Sequence, residues 1–333
     1  MVIAVDASGG DFYPGHPVQG AMEALQELPD IEIVLTGPEK IIREELKKYS
    51  WDKDRLHILD APEVIGMDET PSVAVKQKRN SSIVKGLGAH REKRCQAFVS
   101  TGNTGALLAA SIFILGKLEG VQRPTIAAVL PTLKSNALLI DAGANLQLKT
   151  EHYYQFAKMG AIYSREIFGK KNPETGLLNV GEEPGKGTDL LKEVYLKLEE
   201  LPGFAGNIEG KDIFEGRVDV ILSDGLIGNI VLKFGESIPG VFQKLLSRTM
   251  KELDLKREER EMVIDLFQKT VSPFNYENVG GIPFLGVNGV SVVGHGGSSP
   301  LAIKNMIVNA ARYVKQDVNG KIVKALGQTV TAD

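Results

Sequence analysis

Short apolar and β-branched runs recur along the chain, at Val2 to Val5, Ile31 to Leu35, Leu56 to Leu59, Ala97 to Val99, Ile126 to Leu130, Ala137 to Ile140, Leu177 to Val180, Val218 to Leu222 and Val290 to Val293. Most end at Asp, Gly, Ser or Thr, the mark of buried strands closed by turns. Helical spacing of apolar residues fills several gaps, at Gly20 to Leu28, Glu39 to Lys48 and Ser72 to Leu87. Thr70-Pro71-Ser72 predicts a helix start, with Thr as cap and Pro in the first turn. Strand and helix in alternation predict βαβ units, hence a three-layer α/β/α fold around a mostly parallel sheet. Polar and glycine-rich residues cluster just after the strands, where open sheets of this kind place their ligand crevice.

One stretch departs from this rhythm. From Pro239 to Val271 the pattern is purely helical, with Phe242, Leu245, Leu246, Thr249, Met250 and Leu253 on one stripe and Val263, Leu266, Phe267 and Thr270 on a second. The charged run Lys256 to Arg260 falls between them. The simplest account is a helical hairpin at about 239–271 inserted into one α/β/α domain covering 1–333, since no repeat or domain boundary is legible.

Composition narrows the classes. With 333 residues, 43% hydrophobic and 24% charged, the chain is an ordinary folded protein. A formal net charge of -3 argues against a surface built for nucleic acid, so no such partner is expected. The single cysteine, Cys95, excludes an intramolecular disulfide and a multi-Cys metal site, and it suits a reducing compartment. The opening apolar run is too short for a signal peptide, and no stretch is long enough to span a membrane. A cytoplasmic protein is expected.

The candidate chemistry lies on the loops after strands. Gly9 and Gly10, in Asp6-Ala7-Ser8-Gly9-Gly10-Asp11, permit close backbone approach, and Asp6 can orient a polar ligand or simply hold the loop. Ser100, Thr101, Gly102, Asn103, Thr104 and Gly105 lead from a strand into an apolar helix. Such a junction leaves backbone N–H groups unpaired at the positive end of the helix dipole. With four side-chain donors added, a phosphate-type anion fits better than a mere cap. Asp141 and Asn145, Glu183 and Lys186, and Asp224 and Asn229 occupy three further polar turns, each as readily structural as ligand-binding. His295, between two glycines, is placed to donate to an anion. There is no Gly-x-Gly-x-x-Gly, P-loop, Gly-x-Ser-x-Gly or His-Glu-x-x-His motif, and Cys95 reads as a core thiol, so no metal or cofactor site is expected.

Taken in order, Asp6 to Asp11, Ser72 to Ser82, Ser100 to Ala106, Asp141 to Asn145, Asn179 to Glu183, Asp224-Gly225 with Gly228-Asn229, and Leu285 to Gly289 followed by His295 resemble the bacterial phosphate acyltransferase family, PlsX. The match spans nearly the whole chain. Ser8 stands where Met is usual, and Ser223-Asp224-Gly225-Leu226-Ile227-Gly228 replaces a usual Cys-Asp-Gly-Phe-Val-Gly. The resemblance implies a fold like the phosphotransacetylases and the isocitrate/isopropylmalate dehydrogenases. It also implies transfer of a fatty acyl group from acyl carrier protein to inorganic phosphate, giving acyl phosphate for phospholipid synthesis by a homodimer. A thioester is already activated, so neither an enzyme nucleophile nor a metal is needed. By similarity Lys186 and Asn229 form the catalytic pair and Asp224 orients it. Two alternatives stand beside this: a phosphotransacetylase-like enzyme using acyl-coenzyme A, and a non-enzymatic scaffold recruited to membranes.

Two surface expectations complete the reading. Lys76, Lys78 and Arg79 open a basic stretch suited to docking the acidic carrier. Leu253 and Leu255, flanked by Lys251, Lys256 and Arg257, predict a weak peripheral contact with anionic membrane at the hairpin tip.

Overall fold

The computed structural model describes residues 1–274 and 280–327. Its strands are β1 (Val2–Asp6), β2 (Glu32–Gly37), β3 (Leu56–Asp60), β4 (Ala97–Ser100), β5 (Thr125–Pro131), β6 (Asn136–Ile140), β7 (Thr175–Leu178), β8 (Phe204–Ile208), β9 (Val220–Leu222), β10 (Ile282–Leu285) and β11 (Val290–Val293). The helices are α1 (Gly15–Glu27), α2 (Glu39–Leu46), α3 (Pro71–Gln77), α4 (Ser82–Arg91), α5 (Thr104–Ile114), α6 (Thr150–Phe168), α7 (Asp189–Leu198), α8 (Asp212–Glu215), α9 (Gly225–Glu252), α10 (Arg257–Val271), α11 (Pro300–Lys315) and α12 (Val318–Gly327).

Strand residues alternate between the sheet's two faces, and each face is covered. Val5, Val99 and Ile140 pack with residues of α1, α6 and α11, while Ala4, Phe98 and Leu139 pack with residues of α4, α5 and α9. The result is the expected three-layer arrangement around one sheet, in the order β3-β2-β1-β4-β11-β10-β5-β6-β9-β7-β8. Pairing is parallel except at β11/β10, β10/β5 and β5/β6. These three reversals leave β1, β4 and β11 running one way and β6, β9, β7 and β8 the other. Their carboxyl ends therefore face opposite edges of the sheet, a strand length apart, which for five residues is about 17 Å.

The helices differ from expectation in four respects. The single helix anticipated over Ser72 to Leu87 is two, because Lys78 leaves helical geometry and Ser81 caps α4, accepting from Val84 N at 3.4 Å. The hairpin does not begin at Pro239. Asp224 caps a helix that runs unbroken from Gly225 to Glu252 with Pro239 inside it, so the first arm of the hairpin continues a helix already packed on the sheet. Its stripes are also not buried: Phe242 is 56% exposed and Leu266 65%, and Met250 is the buried member. Thr70 precedes α3 with Pro71 in the first turn, but its side chain makes no cap bond.

Candidate functional site

The predicted site residues fall into two clusters, one on each edge of the sheet. At the first, β1, β4 and β11 end side by side. Asp6 and Ser100 are buried, and Ser100 Oγ donates to Asp6 Oδ2 at 2.6 Å while accepting from Gly102 N at 3.0 Å. Ser8 N donates to Asp6 Oδ1 at 3.0 Å. Burial holds the Asp6 carboxyl above the usual carboxylate range, against the opposing pull of hydrogen bonds from Ser100 and Ser82. Thr101 Oγ1 donates to Gly9 O at 3.0 Å. Gly9 must be a glycine, since a Cβ there would lie 2.7 Å from Gly102 N, and Gly10 has φ +83°. The third loop joins through Gly294 N to Ser100 O at 2.9 Å and Asp11 N to Gly296 O at 2.8 Å, with His295 exposed between them.

Asp6, Gly9, Gly10, Ser100 and Thr101 thus build the loops rather than face solvent. Asn103 is likewise engaged. Its Oδ1 caps α5 at Ala106 N (3.0 Å), and its Nδ2 donates to the carbonyls of Gly66, Met67 and Glu69 at 3.1–3.2 Å. What the junction offers a ligand is narrower than six residues. Thr104 is exposed, Gly105 lies against Pro71, and among the described residues the N–H groups of Thr104 and Gly105 have no acceptor.

The second cluster gathers the ends of β6, β7 and β9. Asp141 is fully buried; Oδ1 accepts from Gly143 N (3.2 Å) and Ala144 N (2.7 Å), and Oδ2 from Asn145 N (2.9 Å) and Nδ2 (2.8 Å). Burial raises its carboxyl despite these donors. Asn145 Nδ2 also reaches Pro124 O at 3.0 Å. Asp141 and Asn145 therefore frame their turn. The first turn of α9 presses on that frame. A Cβ at Gly225 would fall 2.7 Å from Asn145 O and one at Gly228 1.9 Å from Asp141 O. Asp224 Oδ1 caps the helix at Ile227 N (2.9 Å), and Asn229 is exposed next to Gly143.

Lys186 stands on the β7–α7 loop, half exposed, with Nζ 3.8 Å from Glu183 Oε2. Among the described residues no hydrogen bond or ion pair joins it to Asn229 or Asp224. The loop's position is fixed by two residues. Asn179 Nδ2 donates to Lys186 O (3.1 Å) and Asn207 Oδ1 (3.2 Å), and Asn207 Nδ2 donates to Glu183 O (2.8 Å). Sequence reasoning missed Asn207. Its one signal is an amide in an otherwise small and apolar strand, where a buried polar group needs partners.

The docking triad divides. Lys76 and Arg79 are exposed, but Lys78 Nζ is tied to Glu69 Oε1 (2.5 Å) and Val64 O (2.7 Å), and Lys78 in turn lowers the Glu69 carboxyl. Lys78 is a brace for the loop that Asn103 also holds. At the hairpin tip Leu253 is 66% exposed, whereas Leu255 is half-buried with its N–H on Met250 O. No helix among the described residues is long and apolar enough to cross a membrane, and no group of three or more His, Cys, Asp or Glu among them is arranged to hold a metal.

A family model described as "Fatty acid synthesis protein" matches residues 1–321. A phosphate acyltransferase of Halothermothrix orenii is 42% identical over 336 aligned positions, covering 100% of this chain and 99% of the relative. Another, of Chlorobaculum parvum, is 44% identical over 337, covering 98% and 99%. Among solved structures, a phosphotransacetylase from Streptococcus pyogenes superposes with TM-score 0.62 at 14% identity, covering 95% of this chain and 94% of that one. A 4-hydroxythreonine-4-phosphate dehydrogenase from Klebsiella pneumoniae does so with TM-score 0.54 at 13%, covering 94% and 97%. At such identities these two show a shared fold.

Proposed function

Because the chain belongs to the phosphate acyltransferase family of fatty acid synthesis proteins, we propose that this acyltransferase moves a fatty acyl group from acyl carrier protein to inorganic phosphate, for phospholipid synthesis. A phosphate oxygen attacks the thioester carbonyl carbon; the C–O bond forms, the C–S bond breaks, and the carrier thiol leaves with a proton. The observation that carries the reading is the α5 amino terminus, where among the described residues the N–H groups of Thr104 and Gly105 have no acceptor and Thr104 is exposed. Phosphate is held there by the helix dipole and these donors.

Lys186 and Asn229 then act on the carbonyl side. Lys186 neutralises phosphate or assists its deprotonation, and Asn229 donates to the developing oxyanion, with Asp224 fixing the turn that carries Asn229 and Glu183 holding Lys186 until substrate binds. Because Thr104 and Lys186 lie at opposite edges of one sheet, a homodimer is proposed, in which one copy's second cluster meets the other's first. The exposed apolar residues of α9, among them Ile230, Phe234 and Phe242, support a buried partner surface. Lys76 and Arg79 attract the acidic carrier, and Leu253 touches anionic membrane.

The test is a product assay with hexadecanoyl-acyl carrier protein and phosphate, trapping acyl phosphate as the hydroxamate. Product formation with the carrier donor, and much less with the coenzyme A donor, is expected. Preference for coenzyme A would favour a phosphotransacetylase-like enzyme. No phosphate-dependent thioester loss would leave a scaffold.

A further inference from the structure

On the α9 face of the sheet lies a cleft walled by Leu232, Phe214, Phe274, Ile282, Val293 and Met306 and floored by β5. Among the described residues that line it, the polar side chains are Glu236, turned to Lys233 at 2.8 Å, and His295 and Ser298 at one end. That end is the β11–α11 loop, bonded to Ser100 and Asp11 of the first cluster. The cleft is therefore an apolar extension of the polar site.

A second observation concerns Gly235, on the cleft wall. Glycine is disfavoured inside a helix, yet a Cβ built here meets only the tip of the Phe214 ring, at 3.4 Å. Among the described residues none requires the glycine. Its missing side chain enlarges the cleft.

We propose that this cleft holds the hydrocarbon chain of the acyl donor, with the thioester at the His295 end and Gly235 keeping room for a long chain. The proposal rests on the acyl-transfer reading above. A hydrophilic occupant would leave its polar groups unpaired against these walls, whereas each buried methylene favours binding by about fourfold. Chain length is thus read by how much of the cleft the chain fills.

The test measures kcat/KM for butanoyl-, octanoyl- and hexadecanoyl-acyl carrier protein with full-length wild type, Gly235→Leu and Phe274→Ala. Gly235→Leu should lower the hexadecanoyl value at least tenfold and leave the butanoyl value within twofold. Phe274→Ala, which removes a half-buried wall, should weaken the long-chain preference about threefold and decides the matter if Gly235→Leu does not fold. A chain-length profile unchanged in the folded variants, or an equal loss at all lengths, overturns the cleft assignment while acyl transfer stands. If wild type turns over no donor with phosphate, the acyl-transfer reading fails instead. Binding of the fluorescent fatty acid cis-parinaric acid then judges the cleft, supported by tenfold weaker binding to Gly235→Leu and overturned by equal binding.

Discussion

Ser100 Oγ and Asp6 Oδ2 lie 2.6 Å apart in a hydrogen bond that joins the carboxyl ends of β4 and β1, both residues buried. The bond sets the position from which the β4–α5 junction departs. Burial also makes Asp6 a titrating element of the fold. Its native pKa is raised by burial from an ordinary 3.8. Between those two values the native state holds more protons than the unfolded one, so this group's contribution to stability declines as pH rises through that window and is constant above it. In Asp6→Asn that dependence disappears. The Tm difference between wild type and variant should fall from pH 3.5 upward and then level; a difference constant from pH 3.5 to 7 would refute the assignment.

Lys186→Ala and Asn229→Ala should each lower turnover by about two orders of magnitude, the scale of one lost transition-state donor. Both side chains are exposed, so melting temperatures should stay within about a degree or two of wild type. Near wild-type rates at saturating substrates would remove either residue from the chemistry.

Thr104→Val keeps the shape of the side chain and deletes its hydroxyl at the α5 terminus. The KM for phosphate should rise about tenfold while that for the acyl donor moves little, the two being read from separate titrations. If both rise together, phosphate does not sit at this helix.

Lys78 and Arg79 should behave differently despite being neighbours. Arg79→Glu, with Lys76→Glu, should slow carrier capture several-fold at low salt and lose that effect at high salt. Lys78→Glu places a like charge beside Glu69 and should lower stability slightly, the loss kept small because the pair is one-third exposed. Denaturant melts and stopped-flow capture separate the two outcomes, and identical behaviour would show that the brace is not one.

Leu253 is the apolar group presented at the tip, so Leu253→Glu alone should abolish flotation with anionic vesicles while activity on soluble substrate persists. Leu255→Glu should matter less, because that side chain is half-buried. Equal flotation of wild type and Leu253→Glu would place the anchor elsewhere.

Most of the sheet was legible because nine of its strands are apolar runs ending in turn residues. β8 and β10 were not. Phe204-Ala-Gly-Asn-Ile carries weak strand formers, and Ile282-Pro-Phe-Leu contains a proline that argues against a central strand. Missing β10 hid the strand reversals, and with them the separation of the clusters, since a polar loop after a strand looks the same whichever way the strand runs. The same limit applies to side chains. Composition marked Asp141, Asn145 and Asn103 as donors and acceptors, but only the fold shows that their own loops engage them. Pro239 looked like a helix boundary because sequence weighs proline locally, whereas the packing of Gly225, Gly228 and Leu232 sets α9 on the sheet well before it.

The contact of Gly225 and Gly228 with the Asp141–Asn145 turn divides the first turn of α9 by how freely it can change over evolutionary time. A methyl group at Gly228 has no space at 1.9 Å from a carbonyl oxygen, so that position admits no drift without moving β6 or α9. Leu226, Ile227 and Ile230, exposed on the same turn, carry no such restriction. Variation among descendants of this sequence should therefore collect on the outward side of the turn, altering what the helix meets in a partner while the placement of Asn229 is inherited unchanged.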